Sequence, residues 1–249
     1  MTAGNSYLLH LADNPMILGQ RLGEWCGHGP VLEQDIALTN IALDLIGQAR
    51  LLYQYIAGLP DVRSTEDQLA MLRYEHEYRN LLLVELPNKD FGHTIARQFY
   101  YDAFNLLQYE SLTAHPDENV QAIAVKTLKE IKYHYRYSSE WMIRLGDGTE
   151  QSHEIMQTAV NQLWRYTGEM FIPASFENEL IAEGFAIDVT ALEAPWKDKV
   201  SSVLSQATLT LPPDEPMLTG GKEGRHSEHM GYILTELQYM QRTFPQMQW

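Results

Sequence analysis

Residues 129–136 read KEIKYHYR, and they hold a carboxylate and an imidazole four positions apart, Glu130 and His134. Helical bundles that bind two metal ions take one acid from each of two helices and a Glu-x-x-His pair from each of the other two. Oxygen-loving iron or manganese accepts the carboxylates, and the histidines complete the shell. Here the residue three before His134 is Ile131. At about 100° per residue, Ala124, Leu128, Ile131, Tyr135 and Met142 gather on one apolar face. Ile131 lies near the centre of that face, His134 at its edge, and Glu130 about 110° from the centre. Isoleucine therefore holds the place a ligand glutamate needs, and Glu130 points to the flank.

Other acids stand in similar settings. Asp44 sits in IALDLIG and Asp102 in FYYDAFN, each amid apolar or aromatic neighbours. Such a carboxylate is either half-exposed at the edge of the stripe or buried with a partner, because an unpaired buried charge is costly. In LRYEHEYRN, Glu75 is followed three residues on by Tyr78, and His76 is preceded by Arg73, so neither register completes the pair. Cys26 and His28 in EWCGHGP lack a third catalytic group, which favours a cysteine placed at a turn. His226 and His229 in RHSEH have spacing for a metal but no identifiable carboxylates, which favours capping or interface roles. TGGKEG (219–224) lacks the spacing of a phosphate-cradling loop, so its glycines read as turn residues. Lys126, Lys129, Lys132 and Arg136 line the face opposite the apolar one. That stripe is either a solvated face or one meeting a neighbouring protein or an anionic ligand.

The elements that must position these residues are helices, since apolar residues recur at three- and four-residue spacing with no β-branched alternation. Prolines, glycines and caps predict helices over 15–26, 31–57, 65–86, 91–113, 117–145, 152–170, 175–183, 190–205 and 226–243. The four long central segments suggest a four-helix bundle. One domain over 1–249 is expected, with a core bundle at about 31–145 and a C-terminal helical addition at about 150–249.

The chain has 249 residues, 45% hydrophobic, enough for a full core. A net charge of −15 argues against nucleic acid and anionic membrane as partners, because both recognitions begin with cations meeting phosphates. One cysteine excludes an internal disulfide and a thiolate-rich metal site. With no signal-peptide pattern and no bilayer-length apolar run, the cytoplasm is the expected location.

RLGEWCGHGP (21–30), NIALDLIGQAR (40–50), NLLLVELPN (80–88) and TGGKEGRHSEHMGYILTELQYMQRTFPQMQW (219–249) together resemble the C-subunit family of the bacterial phenylacetyl-CoA epoxidase. That family lies in the ferritin-like, multicomponent monooxygenase group, and the resemblance spans essentially the whole chain. It implies an all-α ferritin-like bundle that pairs with a related A subunit, which carries the di-iron centre and binds the CoA thioester. A small B subunit and a reductase with FAD and an iron–sulfur cluster complete a complex that uses O₂ and NADPH to epoxidise the ring of phenylacetyl-CoA. No cofactor and no catalytic residue are expected in this chain, and a homodimer is an alternative state of the isolated chain. Carried across residue by residue, the six-ligand pattern of the group falls on Asp44, Glu75, Asp102 and His134, with Tyr78 replacing a histidine and Ile131 a glutamate. The expectation is a metal-free polar network of Asp44, Glu75, Tyr78, Asp102 and His134, with an arginine as a further candidate. The alternative is a di-metal oxygenase component with an atypical ligand set. The tyrosine- and methionine-rich helices and the tail ending in Trp249 are candidates for docking.

Overall fold

The computed structural model describes residues 2–245 and 247, so Trp249 lies outside the described residues. Among them the regular elements are helical: α1 (Ala3–Gly23), α2 (Leu32–Ala57), α3 (Glu66–Met71), α4 (Leu82–Glu85), α5 (Phe91–Leu112), α6 (Glu118–Gly146), α7 (Glu150–Trp164), α8 (Ser175–Ala182), α9 (Glu193–Gln206) and α10 (Glu228–Thr243), with short 3-10 turns between some. The chain divides into two compact units. One runs to Pro87 and resumes at Gly220; the other is Asn88–Thr219.

In the first unit, α1 packs along α2. A Cβ on Gly19 would lie 2.9 Å from Ile46 Cγ1 and 3.2 Å from the Ala42 carbonyl, so glycine permits that approach. The sequence predicted a helix starting at Pro15, a residue suited to a first helical turn. Instead Thr2 caps Asn5 N–H and α1 continues through Pro15. Sixteen of its 21 residues are buried. Burial on that scale outweighs the roughly 3 kcal/mol an interior proline costs.

The predicted helix over 65–86 does not form. Thr65 and Gln68 make the capping box expected there, but α3 stops at Met71, and Tyr78 is extended at φ −78°, ψ 153°. Two side chains of α1 take the backbone amides a helix would use: Asp13 Oδ2 accepts from Arg79 N–H at 2.8 Å, and Asn14 Oδ1 from Leu81 N–H at 2.8 Å. The C-terminal stretch packs on this irregular segment. Gln238 of α10 donates to the Arg73 carbonyl at 2.8 Å and to the Tyr78 hydroxyl at 3.1 Å. TGGKEG is a turn, as its composition suggested, with Gly220 at φ 142° and Gly224 at φ 77°.

In the second unit α5 packs on α6, and also on α7 and α9. Eighteen of its 22 residues are buried, so it has no solvent stripe. The Trp196 indole of α9 donates to the Tyr100 carbonyl of α5 at 3.0 Å, tying the addition to the long pair. Asp117 caps α6 by accepting from the amides of Asn119 and Val120 at 2.9 and 3.1 Å. The buried face of α6 runs Val120, Ala124, Thr127, Ile131, His134, Ser138 and Met142. His134 is thus fully inside rather than at the edge, while Leu128 and Tyr135 are only half-buried.

Candidate functional site

Ile131 and His134 are both 0% exposed, on the face of α6 that α5 covers. Across from them Asp102, 1% exposed, places its carboxylate on α6. Its Oδ2 accepts from Ser138 Oγ at 2.8 Å and its Oδ1 from Gln98 Nε2 at 2.7 Å. Burial pushes the carboxyl up to about 6, against the opposing pull of His134 and the two hydrogen bonds. Asp102 and His134 are therefore brought together. Glu130 is half-buried, near enough to the Tyr109 hydroxyl to add to its upward shift, and outside the Asp102 pair.

In the first unit the expected members are differently placed. Asp44 is half-buried on α2. Tyr78 is 0% exposed, and its hydroxyl donates to the Ala70 carbonyl at 2.8 Å. Glu75 contradicts the expectation of a buried ligand position. It is exposed at the start of a 3-10 turn, with its Oε2 beside Gly231 of α10. The helical register that would have turned it inward is broken by Arg73, whose Nε bonds back to the Leu69 carbonyl at 2.6 Å.

Two buried charge clusters of the first unit were not singled out in sequence. Asp13, 0% exposed, pairs with Arg73 and accepts from the Tyr53 hydroxyl at 2.6 Å. The Arg73 guanidinium lies 4.1 Å from the Tyr78 ring centre, so an arginine does accompany Tyr78. Burial works against the Arg73 charge, but Asp13 overrides it and holds its pKa above the ordinary arginine value. Burial likewise raises Tyr78 to about 12, despite the opposing Arg73 charge. The second cluster is Glu85 with His226, both side chains 0% exposed, at 2.8 Å. The signal for both acids was the one used for Asp44 and Asp102, a carboxylate inside an apolar run: LLHLADNPMIL and NLLLVELP.

The remaining candidates resolve simply. His28 Nδ1 faces the Cys26 carbonyl at 3.2 Å, and the Cys26 thiol is exposed and free, so the two form no thiolate pair. Ser227 caps His229 N–H at 3.3 Å, and His226 pairs with Glu85, so RHSEH anchors a helix start. Lys126, Lys129, Lys132 and Arg136 are all exposed.

The phenylacetic acid catabolic protein family matches residues 2–249 of the chain. The chain belongs to that family. It is also 47% identical over 244 residues to the C subunit of the 1,2-phenylacetyl-CoA epoxidase of Escherichia coli (strain K12), a match covering 98% of each chain. With membership in the family, the expected all-α ferritin-like class stands. Among the described residues no helix is long and apolar enough to cross a membrane.

The family's ferritin-like fold implies a di-metal centre, and the residues of this chain do not fit one. Ile131, where the resemblance expects a ligand glutamate, is a buried hydrocarbon, Glu75 is exposed, and the Tyr78 hydroxyl is committed to Ala70 and Gln238. Both oxygens of Asp102 already accept hydrogen bonds. Within each unit, among the described residues, no three His, Cys, Asp or Glu side chains stand where they could hold a metal ion.

The raised Asp102 pKa makes a testable statement about stability. A carboxyl whose folded pKa lies above its unfolded value stabilises below the unfolded pKa, and that advantage is lost as pH rises through about 6. The roughly two-unit shift corresponds to about 3 kcal/mol. Asp102→Asn removes the buried charge while keeping a side-chain oxygen to accept a hydrogen bond, beside a Gln98 whose Oε1 has no partner among the described residues. The variant is expected to gain about 1–3 kcal/mol at pH 7.5 and much less at pH 4.5, read from urea unfolding midpoints. Equal shifts at both pH values would contradict a buried, ionisable carboxyl.

Proposed function

We propose that this chain is a non-catalytic structural subunit of a multi-subunit phenylacetyl-CoA epoxidase in phenylacetate degradation. In this reading it pairs with a di-iron A subunit, alongside a B subunit and a flavin and iron–sulfur reductase that draws on NADPH. The chain itself carries neither metal nor cofactor, works in the cytoplasm, and self-associates only when its partner is missing. The observation that carries the non-catalytic role is Ile131, 0% exposed and three residues before the buried His134. An acid is missing where charge neutralisation of a metal pair would demand one. A structural role within a complex is further supported by Leu32, Ile36 and Leu43, which are 71%, 50% and 61% exposed on α2, apolar surface of the kind a neighbouring protein covers.

The test is metal analysis of the purified chain, by itself and with the A subunit, together with turnover of phenylacetyl-CoA with and without this chain. Iron is expected to follow the A subunit, and turnover to need both proteins. Near-stoichiometric iron or manganese on the isolated chain, lost in Asp102→Ala and His134→Ala, would overturn the proposal.

A further inference from the structure

The exposed face of α6 concentrates positive charge on an acidic molecule. Across 126–136 there are four cations and one acid, against 18 cations and 33 acids in the whole chain. Lys126, Lys129 and Lys132 are exposed and make no ion pair with any described residue. Like charges three residues apart on a helix repel, and carboxylates are abundant elsewhere, yet the one acid of the stretch, Glu130, sits at its flank, and no acid among the described residues forms an ion pair with the three lysines. Apolar side chains share the ridge: Val125 is 51% exposed and Tyr133 40%. The Arg136 guanidinium sits 5.6 Å from the Tyr133 ring centre, which holds that ring in place.

We propose that this ridge, Val125 to Arg136, is a docking site for a carboxylate-rich face of another protein of the complex; this rests on the structural-subunit reading above. The ridge is about 17 Å long at 1.5 Å per residue, the span of some three helical turns on a partner. Tyrosine and arginine are the residue types that anchor interfaces, and the flanking lysines supply steering and register. A small anion would be held by cations converging on a cavity, whereas these project outward from one convex helix. Nucleic acid is disfavoured by the net charge of −15.

The experiment measures binding of the other proteins of the epoxidase complex and its reductase, each added singly to this chain, at 50 and 300 mM NaCl. The variant is Lys129→Glu with Lys132→Glu. Lys197→Glu is the control, an exposed lysine of α9 that pairs with Glu193. The double variant is expected to weaken binding of one partner at least tenfold at low salt and to flatten its salt dependence. Tyr133→Ala should weaken the same partner at both salts, and Lys197→Glu should change nothing. Helical circular dichroism of each variant should match the unaltered chain, since all four side chains are exposed. Unchanged affinity and salt dependence for every partner would overturn the docking site while leaving the structural-subunit reading intact. An unaltered chain that binds none of them would overturn both.

Discussion

Asp13→Ala is expected to destabilise the first compact unit by about 3–5 kcal/mol, seen as a large fall in the urea midpoint of α1 and α2. The carboxylate is 0% exposed, and four donors converge on it. Arg73 reaches it through both terminal nitrogens, one of them at 3.0 Å, and Tyr53 Oη and the Arg79 amide complete the set at 2.6 and 2.8 Å. Removing it leaves Arg73 charged in an interior with no other carboxylate among the described residues paired with it, and it frees an amide that the broken 65–86 segment depends on. Because a buried pair is costly mainly when halved, Asp13→Leu combined with Arg73→Met should lose less than either single change. A loss below about 1 kcal/mol for Asp13→Ala would show that the cluster is not what shapes this segment.

Glu85→Ala is expected to release the C-terminal stretch from the first unit. Glu85 Oε1 accepts from Ser227 N–H at 2.6 Å, and Oε2 meets His226 Nδ1 at 2.8 Å and accepts from Asn80 Nδ2 at 3.0 Å. The opposite ring nitrogen of His226 faces the Tyr78 carbonyl at 3.2 Å, so the doubly protonated imidazolium satisfies both acceptors. Burial alone would lower the His226 pKa, but the Glu85 hydrogen bond and charge outweigh it and raise it above the ordinary histidine value. The stabilisation is accordingly complete below about pH 6.5 and disappears as pH rises through the raised folded value. Amide exchange across α10 should be slower at pH 6 than at pH 9 after correction for intrinsic rates, and His226→Gln should abolish that difference. In Glu85→Ala, α10 should exchange rapidly at both pH values, with a loss of about 3–5 kcal/mol, while α6 keeps its protection. Wild-type protection of α10 would rule out Glu85 as its anchor.

How far the sequence could be read follows from where the physics is local. Helices α2, α5 and α6 lie within two residues of their predicted limits, because their caps, prolines and apolar period all act over one or two turns. That an isoleucine, not a glutamate, stands on the inward face three residues before His134 was legible for the same reason: three-residue spacing and helix angle need no tertiary information. His134 was misjudged as an edge residue because the covered face of α6 is set by α5, whose own burial on all sides no period reveals. Glu75 was misplaced because its register depended on a helix that Asp13 and Asn14 of α1 dismantle from more than sixty residues away.

By itself, then, the sequence determined the helical class, the family, the inward isoleucine at 131 and the lysine-rich stripe of α6. Only the tertiary structure decided that Asp13 would find Arg73, that Glu85 would find His226, and that 65–86 would break. A buried charge must be paired, but which partner meets it is chosen by chain packing over long separations, and no local pattern encodes that choice. KEIKYHYR lies between the two: its inward isoleucine is written in the spacing, and its outward, unpaired lysines acquire meaning only once the surface around them is seen.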